Sequence, residues 1–357
     1  MKQKKSSFRL AALTLVASIG LAACGSNATQ PSAGNTAEPA KTEAQQQEAG
    51  AASGEAITLK VGLISAPEHS YTLGLKEYDK ALQEATNGKV KLELYGDGQL
   101  GGEREMTEQV QLGTLDMALI TSAPVGNFAP DLSVLEMPFL FRDLDHVYKT
   151  LDSEIGQELL AKLDDSGIKG IALWENGLRH ISNNKKPILS PEDLKGMKMR
   201  TIENDIVVET IKSLGADATP IAFPEVYTSF QQGVVDGFDA SYGVFESTKM
   251  YEVQKHFSEV GIFYNSAVLM INKEKFDSFP ADIQETIVKL GRETAAKQRQ
   301  INQELEKKQR ANMEANGVQI VNYADVDVEA FRKAVEDVYA KIGPRFGDYV
   351  ERIRAVQ

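Results

Sequence analysis

The chain has 357 residues and a formal net charge of −12, with 42% hydrophobic and 25% charged residues. This length is long for one domain and comfortable for two. The excess of acidic residues argues against a nucleic-acid-binding surface, so an anion must be bound by a few placed cations rather than by a basic field.

The N-terminal segment has the features of a bacterial export signal. Four basic residues precede an apolar run at positions 10–23, which ends in "LAAC" at Cys24. The run is shorter than the roughly 20 residues that cross a bilayer, and "LAAC" resembles the lipobox of lipoproteins. We therefore predict a signal peptide over 1–23 and a lipid on Cys24, the only cysteine. An ordinary signal peptide cleaved nearby is the alternative.

Residues 24–55 are rich in Ala, Gly, Ser, Thr, Gln and Glu and contain almost nothing bulky. Such a segment cannot bury enough apolar surface to offset its ordering entropy, so we predict a flexible stalk. The folded part then begins at about residue 56. Its first element, "AITLKVGLIS", alternates apolar and polar residues as a strand does.

Strands and helices alternate through the first part of the folded chain. A helix is predicted over Leu73–Thr86, then a strand in "KVKLELYG", a helix in "GGEREMTEQVQLG" and a strand in "LDMALITS". This order predicts an α/β lobe with a largely parallel sheet.

The same order recurs in the second part. "KGIALWEN", "KGMKMRTI", "ATPIAF" and "NSAVLMIN" read as strands, and "NDIVVETIKSLG" as a helix. The pattern Gln-x-Gly-x-x-Asp occurs at 111–116 and again at 231–236, each time between a predicted helix and a predicted strand. Two similar lobes are therefore predicted.

A long helix is predicted over 281–316, because no proline interrupts it. It loses its apolar stripe midway, which indicates a helix that crosses between two lobes. A coiled-coil arm is the alternative, but sustained apolar heptads are missing. "GVQIVNYA" and "VEAFRKAVEDVYAKI" predict a final strand and a final helix.

Catalytic and cofactor motifs are weak or missing. Gly96–Gly101 spells GxGxxG, but the strand before it alternates charged and apolar residues, whereas a central Rossmann strand is apolar on both faces. The four histidines lack metal-ligand spacing, and no nucleophile motif or phosphate-binding loop is present. We predict no cofactor, no metal and no enzyme. A glycosidase-like pair of carboxylates stays open.

Two arginines follow predicted strands, where open α/β sheets bind ligands. Arg179 is expected in a glycine-containing turn after a strand that ends near Trp174, and Arg200 at the end of the next strand. The planar guanidinium gives two parallel hydrogen bonds to a carboxylate, so the pair could clamp an organic acid. The alternative is that Arg200 pairs internally with Glu203 or Asp205.

These segments resemble the DctP-type substrate-binding proteins of tripartite ATP-independent periplasmic (TRAP) transporters. The specific blocks are "GDGQLGGEREMTEQVQLGTLDMAL", "NKKPILSPEDLKGMKMRT", "ATPIAFPEVYTSFQQGVVDG" and "YEVQKHFSEVG". The resemblance covers about residues 57–339. It implies a two-lobed α/β fold of the periplasmic-binding-protein kind, with hinge strands and a long helix spanning both lobes.

In domain terms, the resemblance predicts lobe I over 56–175 plus about 265–300, and lobe II over 176–264 plus about 301–350. It also implies an exported receptor that closes on one organic anion and delivers it to separate TRAP membrane permease subunits. Arg200 is expected to form the salt bridge to the ligand carboxylate, with Arg179 assisting.

The chain departs from the family in one place. Many members read Gln-Glu-Asn-Pro after the Asp-Gly pair and use that Asn to touch the ligand, whereas this chain has Ala240 there. Asp239, Ser241 or Tyr242 could replace the missing contact. Asn176, beside the predicted turn, is a further ligand-binding candidate.

Two more candidates bear on the identity of the anion. His69 follows the first strand, and Glu103 opens the helix after "GQLGG". An ionised Glu103 would accept hydrogen bonds from hydroxyl groups and repel a second carboxylate, which favours a sugar acid such as a uronate or aldonate. Glu103 could instead be an acidic residue that the helix dipole favours. A C4-dicarboxylate ligand, an exported sugar-acid enzyme and a scaffold lipoprotein stay open.

Overall fold

The computed structural model describes residues 56–357. The predicted signal peptide, the predicted stalk and Cys24 lie outside this range. Within it, nine strands form a single mixed sheet, in chain order β1 (Ile57–Gly62), β2 (Val90–Tyr95), β3 (Met117–Thr121), β4 (Ile168–Asn183), β5 (Lys198–Thr201), β6 (Asp217–Pro220), β7 (Gly237–Ala240), β8 (His256–Asn272) and β9 (Gln319–Val321).

The helices of the described range cover both faces of the sheet. They are α1 (Ser70–Ala85), α2 (Glu103–Gln111), α3 (Ser122–Val125), α4 (Leu144–Asp152), α5 (Glu154–Ala161), α6 (Asp205–Ser213), α7 (Phe223–Gln231), α8 (Tyr242–Ser247), α9 (Lys273–Asp277), α10 (Ala281–Ala315), α11 (Val328–Ala334), α12 (Glu336–Ile342) and α13 (Tyr349–Ala355). In residues 56–357 we find no helix that is both long enough and apolar enough to span a bilayer.

The sheet has two similar halves around a central pair of strands. Its order is β2-β1-β3-β8-β4-β7-β5-β6, with β9 beside β8. Strands β1, β2 and β3 run parallel, as do β5, β6 and β7. Between them β4 and β8, of 16 and 17 residues, pair antiparallel along their length. They connect the halves in the way that hinge strands join two lobes.

Helix α10 spans both halves, as predicted. Its 35 residues contact α1 and β4 at one end and α8 at the other. One apolar cluster lies in each half, with Trp174 and Tyr78 buried in the first and Phe238 and Phe245 in the second, and a third cluster contains residues of both halves. The two-lobed α/β fold with hinge strands and a spanning helix is therefore confirmed. The lobe boundaries near residues 175 and 265 stay predictions.

The strand that was expected to end near Trp174 continues to Asn183, so the predicted turn around Arg179 is wrong. Gly177 has a φ of 114° and sits at an irregularity in the β4–β8 ladder. A glycine with positive φ forms a bulge here rather than a chain reversal, because the long partner strand supplies hydrogen bonds on both sides of it. Arg179 is thus a hinge-strand residue.

Two other predicted elements differ from the structure. The strand predicted in "NSAVLMIN" is only the C-terminal part of β8, and the predicted final helix is divided into α11 and α12. Strands β4 and β5 are not neighbours either, because β7 lies between them. The carrier strands of Arg179 and Arg200 are therefore separated by the strand that carries Asp239.

The two Gln-x-Gly-x-x-Asp segments occupy matching places in the two halves. The first joins α2 to β3, and the second joins α7 to β7. Asp116 accepts a hydrogen bond from the backbone N–H of Lys60 at 2.8 Å, and Asp236 accepts one from that of Lys198 at 2.9 Å. Each carboxylate ties the entry of one strand to its parallel neighbour, so the internal repeat predicted from the sequence is confirmed.

Replacing Asp236 with asparagine is expected to lower the free energy of unfolding at pH 7 by about 1–2 kcal/mol, the usual contribution of hydrogen bonds to a charged group. The carboxylate also pairs with Lys185 at 2.8 Å. Its hydrogen bonds to Lys185 and to the Lys198 backbone lower the pKa of Asp236 below 3.8, against the opposing effect of burial.

A lowered folded pKa stabilises the fold above the unfolded pKa, and the contribution is lost as pH falls through the folded value. The gap between parent and Asp236→Asn should therefore shrink below about pH 4. Urea unfolding at pH 7 and pH 3 measures it, with the exposed Asp217→Asn as the control. An equal gap at both pH values would contradict the role assigned to the carboxylate.

Candidate ligand-binding site

A small pocket lies where the two halves of the sheet meet. Its volume of about 10 Å³ is close to the room that one water molecule needs. Its polar lining consists of Glu103, Thr121, Asn176, Arg179 and Arg200. Its apolar lining consists of Ile64, Ile202, Phe223 and Val244. The structure thus gathers four of the predicted site residues around one cavity.

Arg200 is the cation with unused hydrogen-bonding capacity in this pocket. It lies in β5 and is 2% exposed, and its Nε donates to the carbonyl of Ile221 at 2.9 Å. In residues 56–357 its two terminal nitrogens have no hydrogen-bond partner. The ring of Phe223 lies 5.9 Å from its guanidinium carbon. Burial lowers the pKa of Arg200 to about 10, partly offset by Asp239, so it stays charged at neutral pH.

The internal pairing considered for Arg200 is not observed. Asp205 pairs instead with Arg345, at 2.5 Å. No salt bridge joins Glu203 to Arg200 within the described residues. A buried guanidinium without a carboxylate partner is costly in the free protein, so an anionic ligand would relieve that cost.

Arg179, by contrast, is already paired. Its Nε lies 2.8 Å from a carboxylate oxygen of Asp239, and its Nη2 donates to the backbone carbonyl of the same residue. Both side chains are almost fully buried, at 3% and 1% exposure. Asp239 is therefore the partner that holds Arg179 in place, and it does not line the pocket itself.

Asn176 is held by hydrogen bonds to three side chains. Its Nδ2 donates to the hydroxyl of Tyr71 at 2.9 Å, and its Oδ1 accepts from Ser241 at 2.9 Å and lies 3.5 Å from Arg179. Its oxygen and one of its two N–H donors are thus engaged by the protein. The amide thus orients Arg179 at the wall of the pocket.

Glu103 faces the pocket rather than its own helix. One carboxylate oxygen accepts from the backbone N–H of Thr121 at 2.8 Å, and the other from the Thr121 hydroxyl at 2.9 Å. Burial raises the pKa of Glu103, while these hydrogen bonds and the charges of Arg200 and Arg179 oppose the rise. Its contacts differ from those of a residue that only complements the dipole of α2.

His69 lines an adjoining cavity that shares Ile64, Asn176, Phe223 and Val244 with the pocket. Its Nδ1 accepts from the N–H of Tyr71 at 3.2 Å, so Nε2 carries the proton of the neutral ring. Burial lowers the pKa of His69 to about 4. Its Nε2 is buried and has no partner within residues 56–357, which leaves one donor beside the pocket.

Tyr242 is not brought to this pocket. Its hydroxyl donates to Glu259, which also pairs with Arg310 of α10. Ala240 is fully buried opposite His180 in the β4–β7 ladder and does not line the pocket. The ligand contact predicted for Tyr242 therefore stays a prediction.

Two polar residues near the pocket were missed from the sequence. Thr121 ends β3, so the strand-end argument applied to the arginines could have found it. Glu136 is buried beside Ser122 and Asn265. A single acid inside the apolar stretch "LSVLEMPF" was the available signal. Within the described part of the chain no cluster of histidine and carboxylate ligands suited to a metal ion occurs.

Two lobes, hinge strands and a buried guanidinium between them define a ligand-binding protein of the periplasmic-binding kind. Residues 61–344 match the family of bacterial extracellular solute-binding proteins, family 7 (DctP), and the chain belongs to this family. The prediction from the sequence blocks is confirmed. The family and its structural neighbours are solute-binding receptors of transporters rather than enzymes.

Solved structures and a sequence relative agree with this assignment. A TRAP periplasmic solute-binding protein from Polaromonas sp. JS666 bound to D-erythronate is 37% identical, with a TM-score of 0.82 over 84% of this chain and 99% of that one. One from Xanthobacter autotrophicus Py2 with β-D-galacturonate is 32% identical, with a TM-score of 0.80 over 84% and 100%. The 2,3-diketo-L-gulonate-binding protein YiaO of Escherichia coli is 34% identical over 85% of this chain and 93% of its own length.

Proposed function

We propose that this protein is a lipid-anchored receptor that captures a sugar-acid monoanion, a uronate or aldonate, for the permease of a TRAP transporter. The ligand carboxylate pairs with the guanidinium of Arg200, and the two lobes close around it. The anchor at Cys24 is part of the proposal and depends on the "LAAC" segment alone. Arg179, Glu103 and His69 are the other ligand-facing groups of the proposal.

The observation that supports this function best is the state of Arg200. Its fork of terminal nitrogens has no protein partner among the described residues, and the residue is 2% exposed. A carboxylate fits such a fork with two parallel hydrogen bonds. Arg179 already pairs with Asp239 at 2.8 Å. Its proposed contribution is therefore a positive charge beside the ligand and one N–H that donates to it, rather than a second full salt bridge.

Glu103 supports a sugar acid over a dicarboxylate. Its carboxylate lies on the same pocket as Arg200, where it would accept hydrogen bonds from hydroxyl groups of the ligand. A second ligand carboxylate would meet like charge at a buried site. The Polaromonas and Xanthobacter relatives, whose structures contain D-erythronate and galacturonate, support the same class of ligand.

Entry of a sugar acid requires the lobes to move. The pocket volume of about 10 Å³ is far below the 300–1,000 Å³ or so that small-molecule sites commonly occupy. The irregularities near Gly177 in the β4–β8 pair offer positions that can absorb the change of backbone angles. Opening and closing about β4 and β8 is therefore the proposed motion.

The parent protein is expected to bind D-erythronate, D-galacturonate or D-glucuronate more tightly than succinate or malate. Glu103→Gln should narrow that preference by about tenfold, or about 1.4 kcal/mol, because the neutral amide no longer repels a second carboxylate and is a weaker acceptor for hydroxyls. Native mass spectrometry of the full chain in mild detergent identifies which acids bind, and calorimetry gives their dissociation constants.

Glu105→Gln, which changes an exposed acid of the same helix, is the matched control and should leave the preference unchanged. Tighter binding of succinate or malate by the parent would replace the sugar-acid proposal with the dicarboxylate alternative. Binding of none of the acids would argue against the receptor site as proposed here.

A further inference from the structure

The buried polar cluster at the pocket contains more acids than bases. Its arginines are Arg179 and Arg200, and its acids are Glu103, Asp239 and Glu136, with all five side chains at most 6% exposed. If every group is ionised, the cluster has one excess negative charge before any ligand binds. An organic monoanion would add a second, and uncompensated charge is costly in a buried site.

Glu136 is buried and contacts residues that adjoin the pocket lining. Its carboxylate accepts hydrogen bonds from the hydroxyl of Ser122 and from the Nδ2 of Asn265, the latter at 3.1 Å. Ser122 follows Thr121, the residue that holds Glu103, and Asn265 pairs with Gly177 in the β4–β8 ladder. Glu136 is therefore connected through Ser122 to the chain neighbour Thr121, and through Asn265 to the strand that carries Asn176, and it does not line the pocket itself.

Charged and titratable groups face Glu136 from three elements. Arg179 of β4 favours its ionised form, whereas Asp239 of β7 disfavours it, and Tyr71 of α1 lies within range of its charge. The partners from α3 and β8 are the neutral Ser122 and Asn265. Burial raises the pKa of Glu136 to about 7, the largest effect on this group.

The hydrogen-bond partners of the three acids differ in whether they can accept a hydrogen bond from a protonated carboxyl. Glu103 is held by a backbone N–H and a hydroxyl, and Asp239 by a guanidinium. The backbone N–H and the guanidinium can only donate. Each of these two acids therefore has a partner that cannot accept the O–H of a protonated carboxyl, and the charges of Arg200 and Arg179 oppose the rise in the pKa of Glu103. Glu136 is held by a hydroxyl and an amide, and each of these can turn to accept a hydrogen bond instead of donating one.

Asn265 can supply the acceptor that a protonated Glu136 needs. Its Oδ1 is buried and has no hydrogen-bond partner in residues 56–357. Rotation of the amide by a half turn would place that oxygen against the Glu136 carboxyl, where it would accept the O–H of the protonated acid. Which end of an amide faces a neighbour follows from the hydrogen-bond network, so the site accommodates either protonation state of Glu136.

We propose that Glu136 sets the charge that this pocket accepts, by taking up one proton when an organic monoanion binds. The inference rests on the proposed receptor function and adds a specificity residue that the ligand does not touch. The proton comes from solvent and returns to it on release, so no other reactant is needed. A dianionic ligand would leave an additional negative charge in the cluster, which disfavours dicarboxylates.

Calorimetry of the full chain with D-erythronate and D-galacturonate, in HEPES and in Tris, gives the number of protons taken up, because the two buffers differ in ionisation enthalpy. At pH 8 the parent should take up about 0.5–1 proton per ligand, and at pH 6, where Glu136 is already protonated, close to none. Affinity should fall by up to about tenfold per pH unit above pH 7. The ligand carboxylate itself stays ionised over this range.

Glu136→Gln should abolish proton uptake and the pH dependence, and at pH 8 it should bind at least as tightly as the parent. Glu306→Gln is the matched control: burial raises the pKa of Glu306 to about 7 as well, but it lies on α10 beside Asn302. That variant should take up protons as the parent does.

Binding without proton uptake at pH 8, or uptake that persists in Glu136→Gln, would overturn the inference while leaving the receptor function intact. Absence of binding by both acids at either pH, with the parent folded, would instead overturn the proposed function, and this inference with it. The same titration therefore separates the two failures.

Discussion

Replacing Arg200 with alanine is expected to weaken binding of the sugar acid by roughly 30- to 1000-fold, or about 2–4 kcal/mol. The guanidinium is buried and its terminal nitrogens have no protein partner in the described residues, so the ligand carboxylate would provide their only charged partner. Removing the side chain leaves that carboxylate beside Arg179 alone, which is already paired with Asp239. Calorimetric titration at pH 6 measures the loss where Glu136 is protonated.

The Arg200→Ala variant should lose affinity without losing stability. The free protein keeps a buried charge with one hydrogen bond, to the carbonyl of Ile221, and a charge held in this way costs free energy of folding. We expect the unfolding free energy without ligand to be unchanged or higher. A ligand site is a common place for such a conflict between stability and function.

Two further variants make this test specific. Arg200→Lys keeps the positive charge but loses the planar fork, so its affinity should lie between parent and alanine variant. Arg345→Ala removes an exposed arginine that pairs with Asp205 and should leave affinity unchanged. An affinity of Arg200→Ala within threefold of the parent would show that Arg200 does not bind the ligand carboxylate.

The order of the elements could be predicted from the sequence because apolar periodicity and glycine signals are local. The length of the hinge strands could not. Gly177 reads as a turn residue when only its neighbours are considered, and it becomes a bulge because β8 continues past it. The partner strand lies some 80 residues further along the chain, so no local pattern reveals it.

The site was predictable where it follows strand ends and less so where it depends on packing. Arg200 was predicted from the strand-end argument and the family resemblance, and Glu103 from its position at the start of a helix. The pairing of Arg179 with Asp239 could be predicted only from the strand order, in which β7 separates β4 from β5. Glu136 is contributed by a segment between α3 and α4 that carries no motif, and only the folded arrangement brings it beside residues that adjoin the pocket lining.

The Arg179–Asp239 pair connects the hinge to the site. Arg179 is in a hinge strand, Asp239 is in the neighbouring strand of the second half, and Asn176 contacts Arg179 at 3.5 Å and Tyr71 of the first half at 2.9 Å. A hydrogen-bonded chain of this kind holds the wall of the pocket in one geometry. Arg179 therefore has a structural task in addition to the ligand contact predicted for it.

Arg179→Met is expected to lower the free energy of unfolding by about 3–5 kcal/mol, because it leaves the carboxylate of Asp239 buried without a cation. One oxygen of that carboxylate already has no partner in residues 56–357. The double variant Arg179→Met/Asp239→Leu should recover most of the loss, since a buried ion pair replaced as a whole by apolar groups is often close to neutral.

Urea unfolding of both single variants and the double variant gives the coupling energy directly, and we expect at least about 2 kcal/mol. Arg345→Met, which breaks the exposed pair with Asp205, is the control and should cost no more than about 1 kcal/mol. A loss below about 1 kcal/mol in Arg179→Met, or a double variant no more stable than the single one, would show that Asp239 does not depend on Arg179. Arg179 would then be a ligand contact alone, and the hinge strands would have to be held in register by their backbone ladder.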